Sequence, residues 1–319
     1  MPSHLVDFFR SYIPSCIRQT SMAPQRITRS MSASPALPQT KPRAVSMKKS
    51  KTTKQKPTTT SAPSTKPETI ITTTVTELPS PNHTLDQAYA HLISIDPRMK
   101  PLIDKYPCTT FSASSVADVV DPYMALTCSI ISQQVSGAAA STIRRRFINI
   151  FNPPGLPASV SSTDELSYFP SPQKVAEADI PFLRSAGLSL RKAEYIKGLS
   201  EKFASGELSA DILINAGYEE LVEKLTAVRG IGVWTVEMFA CFGLKRWDVF
   251  STGDLAIQRG MAAFIGRNVA QLQRKKGKWR YMTEKEMVEM AAKFAPYRSV
   301  FMWYMWRVVE DISVEALQT

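Results

Sequence analysis

Two glycines one residue apart, Gly230 and Gly232, stand between apolar runs of helical spacing, and they constrain this chain more than any other feature. Leu221, Val222, Leu225 and Val228 precede them, and Val236, Phe239, Ala240, Gly243 and Leu244 follow. Apolar residues recurring every three or four positions mark amphipathic helices, so the glycines predict a tight turn between two helices. Glycine admits dihedrals closed to other residues and lets a second backbone come close. Both uses are expected at Gly230 and Gly232. The amides opening the second helix would then face outward, where the helix dipole favours an anion, with a phosphate as the natural guest. A lone G-x-G is more often just a helix-ending turn. It is not a dinucleotide fingerprint, because Thr235 fills the third glycine position and the segment before it reads as helix rather than strand.

What lies beyond the turn is more specific. Asp248-Val249-Phe250 leads through Ser251-Thr252-Gly253 to Asp254, which opens a third periodic segment with Leu255, Met261 and Ile265. An aspartate there is suited to cap a helix. Taken together, V-R-G-I-G-x-W-T at 228–235 and D-V-F-x-x-x-D-L at 248–255 resemble the helix-hairpin-helix DNA glycosylases. Within them, the likeness is to the 3-methyladenine DNA glycosylase II group and its fungal members. I-I-S-Q-Q-V-S at 130–136, A-G-L-S-L-R-K-A-E-Y-I at 186–196 and P-Y-R-S at 296–299 are similar to further family stretches. The resemblance covers roughly residues 85–310.

Several expectations come with that resemblance. The fold is all-α, with two helical lobes, a cleft between them and a disordered basic tail before them. The substrate is damaged double-stranded DNA, from which an alkylated base such as 3-methyladenine or 7-methylguanine is flipped out and released. Asp254 matches the catalytic aspartate, placed to stabilise positive charge on the deoxyribose and to position or deprotonate water. Gly230, Ile231, Gly232 and Thr235 belong to the DNA-gripping hairpin. Gln134, Val135 or Ser136 is the wedge that fills the gap, the three standing equal by position. Trp234, Met238 and Phe294 are candidates for the base pocket, Trp234 by stacking a π face on a cationic base, with a plain core role as the alternative for Trp234 and the better fit for Met238. Strand-cutting relatives carry a nucleophilic lysine where this chain has Trp234, and tryptophan cannot form a Schiff base. A monofunctional glycosylase is therefore expected, leaving an abasic site. Phe294 stands where some members have tryptophan and Gly253 where some have an acid. The alternatives are a related glycosylase for other lesions and a non-catalytic hairpin module that only binds DNA.

Charge adds less than its total suggests. Of the formal +11, residues 1–80 hold 12 Lys/Arg against Asp7, Glu68 and Glu77, a net +9 that leaves +2 for the remainder. Residues 1–80 read as a disordered basic tail and 85–310 as the glycosylase domain, with order beginning near Leu85. The tail offers a basic run, Lys48, Lys49, Lys51, Lys54 and Lys56, compatible with nuclear import or with non-specific phosphate contact. Its first residues fit either an amphipathic mitochondrial targeting peptide or simply more tail. The nucleus is the expected compartment, with the mitochondrion second. The four cysteines lack C-x-x-C spacing and the three histidines lie far from the hairpin, so neither a metal nor a cofactor is expected. No apolar run is long enough to span a membrane, and a monomer is expected. Residues 151–178 read as a connection or short turns, Arg191 and Lys192 as solvated or phosphate-facing, and the cluster Arg274, Lys275, Lys276, Lys278 and Arg280 as a solvated loop, with DNA-backbone contact as the alternative.

Overall fold

Helix follows helix from Leu85 onward because most periodic runs begin at a side chain able to cap them. A computed structural model describes residues 83–116, 120–152, 168–274 and 276–318, with side chains as far as Val309. The basic segment 1–80, with the targeting signals expected in it, and Cys16 lie outside the described residues. The first helices are α1 (Leu85–Ile95), α2 (Met99–Lys105), α3 (Ala113–Val116), α4 (Pro122–Ser132) and α5 (Gly137–Ile150). Then come α6 (Pro172–Glu177), α7 (Ile180–Ser185), α8 (Leu190–Ala204), α9 (Ala210–Asn215) and α10 (Tyr218–Thr226). After the hairpin follow α11 (Val233–Met238), a π-helical turn (Phe239–Gly243), α12 (Leu255–Phe264), α13 (Val269–Gln273), α14 (Glu284–Ala292) and α15 (Arg298–Gln318). Among the described residues there is no strand.

Thr84 and Thr283 build capping boxes with Gln87 and Glu286, and Asp121, Ser136, Ser171, Asp179, Ser189 and Ser209 each accept a bond from the third residue of the helix they open. Such caps satisfy amides the helix leaves unpaired. Periodicity then decides which face is buried. In α8 only Ala193, Ile196, Leu199 and Ser200 are buried, a one-sided stripe, whereas α4 is buried on nearly every side. A helix apolar all round belongs at the centre. Accordingly α4 packs against α5, α8, α9 and the π-helical turn.

The helices form two lobes that share one large core, and a small second cluster gathers Ala262, Val269 and Tyr281. One gathers α4 to α10, with α8 lying across α6 and α7; the other is led by α12 against α15, joined by α1, α2, α13 and α14. The lobes are connected where α10 meets α11 and where α4 meets the π-helical turn. The single segment read between Val236 and Leu244 is thus a short α-helix ending in a wider turn. At the α12–α15 crossing, a Cβ on Gly260 would lie 2.0 Å from the Met305 carbonyl oxygen, so this backbone contact needs glycine.

Candidate active site

Asp254 occupies the N-cap of α12, and its carboxylate is enclosed by N–H donors. Oδ1 accepts from the amides of Ala256 at 2.8 Å and Ile257 at 2.9 Å, and from the Trp306 indole at 3.3 Å. Oδ2 accepts from the Trp234 indole at 2.8 Å. A carboxylate offers about four acceptor positions, two on each oxygen. Oδ1 is therefore saturated, while Oδ2 keeps one direction for a reacting group or a water. The residue is 5% exposed, so its charge acts through a medium that screens poorly. The two tryptophans come from α11 and α15, 20 positions before and 52 after it. Trp234 is half-buried, and its N–H serves the carboxylate.

The loop that delivers Asp254 is anchored along its length. Arg298 holds Asp248 with two bonds of 2.6 and 2.8 Å, and the Ser299 hydroxyl donates to the Arg246 carbonyl at 2.6 Å while accepting from the Val249 amide at 2.9 Å. The P-Y-R-S stretch is thus a clamp on the D-V-F stretch. Further along, Ser251 donates to Glu237 at 2.5 Å and Thr252 to Glu284 at 2.9 Å.

In the hairpin, only Gly230 needs glycine for its conformation. Its φ is +91°, and a Cβ would stand 2.2 Å from the Tyr195 ring. Gly232 has an ordinary φ of −103°, so the dihedral freedom expected of it is not used. What it provides is room, since nothing lies within 4 Å of the place a Cβ would take. No side chain caps α11, and Val233 at its start is 49% exposed. The side chains of Ile231 and Thr235 are buried, and the Ile231 amide is spent on the Val228 carbonyl at 3.1 Å.

The segment expected to supply the wedge is a four-residue break between α4 and α5. Ser136 caps α5, its hydroxyl accepting from the Ala139 amide at 3.3 Å. Gln134 is exposed with φ +55°, a left-handed backbone uncommon for a residue other than glycine. Val135 is half-buried. Lys192, read as solvated or phosphate-facing, is half-buried: its ammonium donates to the Ile131 carbonyl at 2.6 Å, and burial lowers its pKa. Of the pocket candidates, Met238 is 8% exposed and Phe294 only 2%, its ring stacked on Phe301 with centroids 4.0 Å apart. In this conformation Phe294 is a core side chain.

The matched family model is that of the HhH-GPD superfamily base excision DNA repair proteins, over residues 127–276. The DNA-3-methyladenine glycosylase of Saccharomyces cerevisiae is 30% identical over 243 residues, covering 70% of this chain and 79% of its own. The chain belongs to the HhH-GPD superfamily. DNA-3-methyladenine glycosylase 1 of Schizosaccharomyces pombe is also 30% identical, over 70% of this chain and 87% of its own length. A solved structure of the Schizosaccharomyces pombe 3-methyladenine DNA glycosylase in complex with abasic DNA matches with a TM-score of 0.51 and 27% identity, covering 69% of this chain and 95% of that one. Among the described residues of this HhH-GPD chain, no cluster of His, Cys, Asp or Glu could hold a metal ion, and no helix is long and apolar enough to cross a membrane.

One ionisable group beside the site went unread in the sequence. Glu237 is 7% exposed on α11, accepting from Ser251 and, at 3.4 Å, from Tyr218. Burial pushes its carboxyl up to about 7; the two hydroxyls oppose this and the Asp254 charge adds to it. A lone acid inside V-E-M-F-A-C-F was the available signal. The folded state then binds a proton between about pH 4.5 and 7 that the unfolded chain releases, so this group's contribution to stability falls as pH rises through that window. Glu237→Gln is expected to raise the melting temperature at pH 8, by an amount corresponding to at most roughly 3 kcal/mol, and to have little effect at pH 4.5. Thermal melts of both proteins at the two pH values check this, and an equal change at both would show that Glu237 does not titrate in the window.

Proposed function

We propose that this protein is a monofunctional DNA glycosylase that releases alkylated bases, 3-methyladenine and 7-methylguanine among them, from duplex DNA. The reading rests on one observation above others: a buried carboxylate, tied down by two indoles and two helix amides, with an acceptor position of Oδ2 left unused by these four donors. Breaking the N-glycosidic bond sends its electron pair to the departing base and leaves positive charge on the deoxyribose. An alkylated cationic base takes the pair and departs neutral, so no general acid is needed. Water then bonds to the anomeric carbon and loses a proton. A fixed negative charge beside that carbon lowers the barrier without reorganising. Rigidity is the contribution of Trp234 and Trp306, which hold Asp254 where the cation develops.

The hairpin's uncapped amides and the space at Gly232 suit a DNA phosphate, while Gln134, strained and exposed at the break, is the preferred wedge. Contacts of this kind position the duplex without reading its sequence. The names of the similar yeast proteins support the substrate class.

The test is incubation with alkylated duplex DNA, scoring free base and strand integrity separately. Free base together with intact strands that break only on later alkaline heating is the expected result. Strand cleavage without that treatment would overturn the monofunctional reading, and no free base would favour the DNA-binding module.

A further inference from the structure

We propose that Gln133 is a positioning residue that couples the wedge turn to the hairpin, so that seating the hairpin on a phosphate sets the depth at which the wedge enters the helix. The inference rests on the reading of residues 133–136 as the wedge segment. Its observation is a closed ring of contacts through three elements. The Gln133 side-chain amide donates to the Gly230 carbonyl at 2.8 Å, across 97 positions of chain. Gly230, at φ +91°, lies against the Tyr195 ring of α8 with no space for a Cβ. Three residues earlier on the same helix, Lys192 donates to the Ile131 carbonyl in the last turn of α4. Residues three apart lie on one helix face. One face of α8 therefore holds both the hairpin glycine and the end of α4, and Gln133 closes the circuit between them.

The geometry explains two otherwise unrelated features. The left-handed backbone of Gln134 costs free energy unless its neighbours fix it, and immediately before it Gln133 is fixed by a partner in another element. The positive φ of Gly230 sets the orientation of the peptide whose carbonyl Gln133 uses. With both ends of the turn determined, Gln134 has no freedom to swing aside when base pairs press on it.

Gln133→Met keeps the length and removes the donor; Gln133→Lys restores one. The readout is fluorescence of 2-aminopurine placed next to a tetrahydrofuran abasic analogue, which reports local unstacking, recorded beside affinity for the same duplex. Gln133→Met is expected to bind within about threefold of wild type and to shift the inserted-wedge equilibrium by about five- to tenfold, the effect of one net hydrogen bond. Gln133→Lys should recover most of the signal. An unchanged signal in Gln133→Met, or a signal lost in strict proportion to affinity, overturns the coupling, as does a wild type that never unstacks the probe. Should Gln133→Met melt well below wild type, Lys192→Met, which removes the other tether, is read by the same criteria. A wild type that unstacks the probe but releases no base refutes the glycosylase reading alone and leaves the coupling intact.

Discussion

Asp254→Asn is expected to slow single-turnover base release by about 100- to 1,000-fold while leaving a folded protein that still binds abasic-site DNA. The substitution is nearly isosteric, and the side-chain oxygen can still accept from the Ala256 and Ile257 amides, so the cap on α12 survives. Two things are lost. The negative charge next to the sugar disappears, and the new amide N–H₂ faces the Trp234 indole N–H, donor against donor. The second loss costs stability of about 1 to 3 kcal/mol, seen as a lower melting temperature and not as unfolding. Release rates, melts and abasic-DNA affinity measured on one preparation separate these effects. Release within a few-fold of wild type would remove Asp254 from the chemistry, and a parallel loss of affinity would point to a damaged DNA surface.

What could be read in advance depended on how local each determinant is. The hairpin and the α12 cap were legible because glycine spacing, apolar period and a capping aspartate are all written within a few residues. The break between α4 and α5 was legible as a segment only. The side-chain order Gln134, Val135, Ser136 does not encode which of the three adopts φ +55°; in the fold Gln134 does so, while Ser136 is taken up by its capping bond. Trp306 sits in an aromatic run that reads as core, and most of it is; its bond to Asp254 spans 52 positions and has no local signature. The bond of Lys192 had no local signature either: a lysine on an amphipathic helix is ordinarily solvated, yet its long stem reaches the Ile131 carbonyl at the end of α4. Trp234 shows the same limit from the other side. Its position carried the exclusion of Schiff-base chemistry, but only the fold shows that its N–H serves the carboxylate.

The other aspartate of the same stretch should behave in the opposite way. Asp248→Asn is expected to destabilise the protein by about 3 kcal/mol and to leave the release rate per folded molecule within about threefold of wild type. Asp248 contacts Arg298 through both oxygens, and the Arg298 side chain is 6% exposed. Removing the carboxylate leaves a guanidinium in a site with little water to compensate it, which costs more than the pair itself contributes. In a domain of this size such a loss lowers the melting temperature by about 6 to 12 °C. Asp254 should be spared because its own position is set by α12 and two tryptophans, none of which touches Asp248 among the bonds described. If the deficit arises from the orphaned charge, replacing both partners should undo much of it: Asp248→Leu with Arg298→Met is expected to melt above Asp248→Asn. A double variant that melts lower still would instead assign the stability to the pair's hydrogen bonds to the loop, including the Arg298 amide on Asp248 at 3.3 Å. A hundredfold loss of activity in Asp248→Asn without any change in melting would mean that the clamp sets the geometry of Asp254 after all.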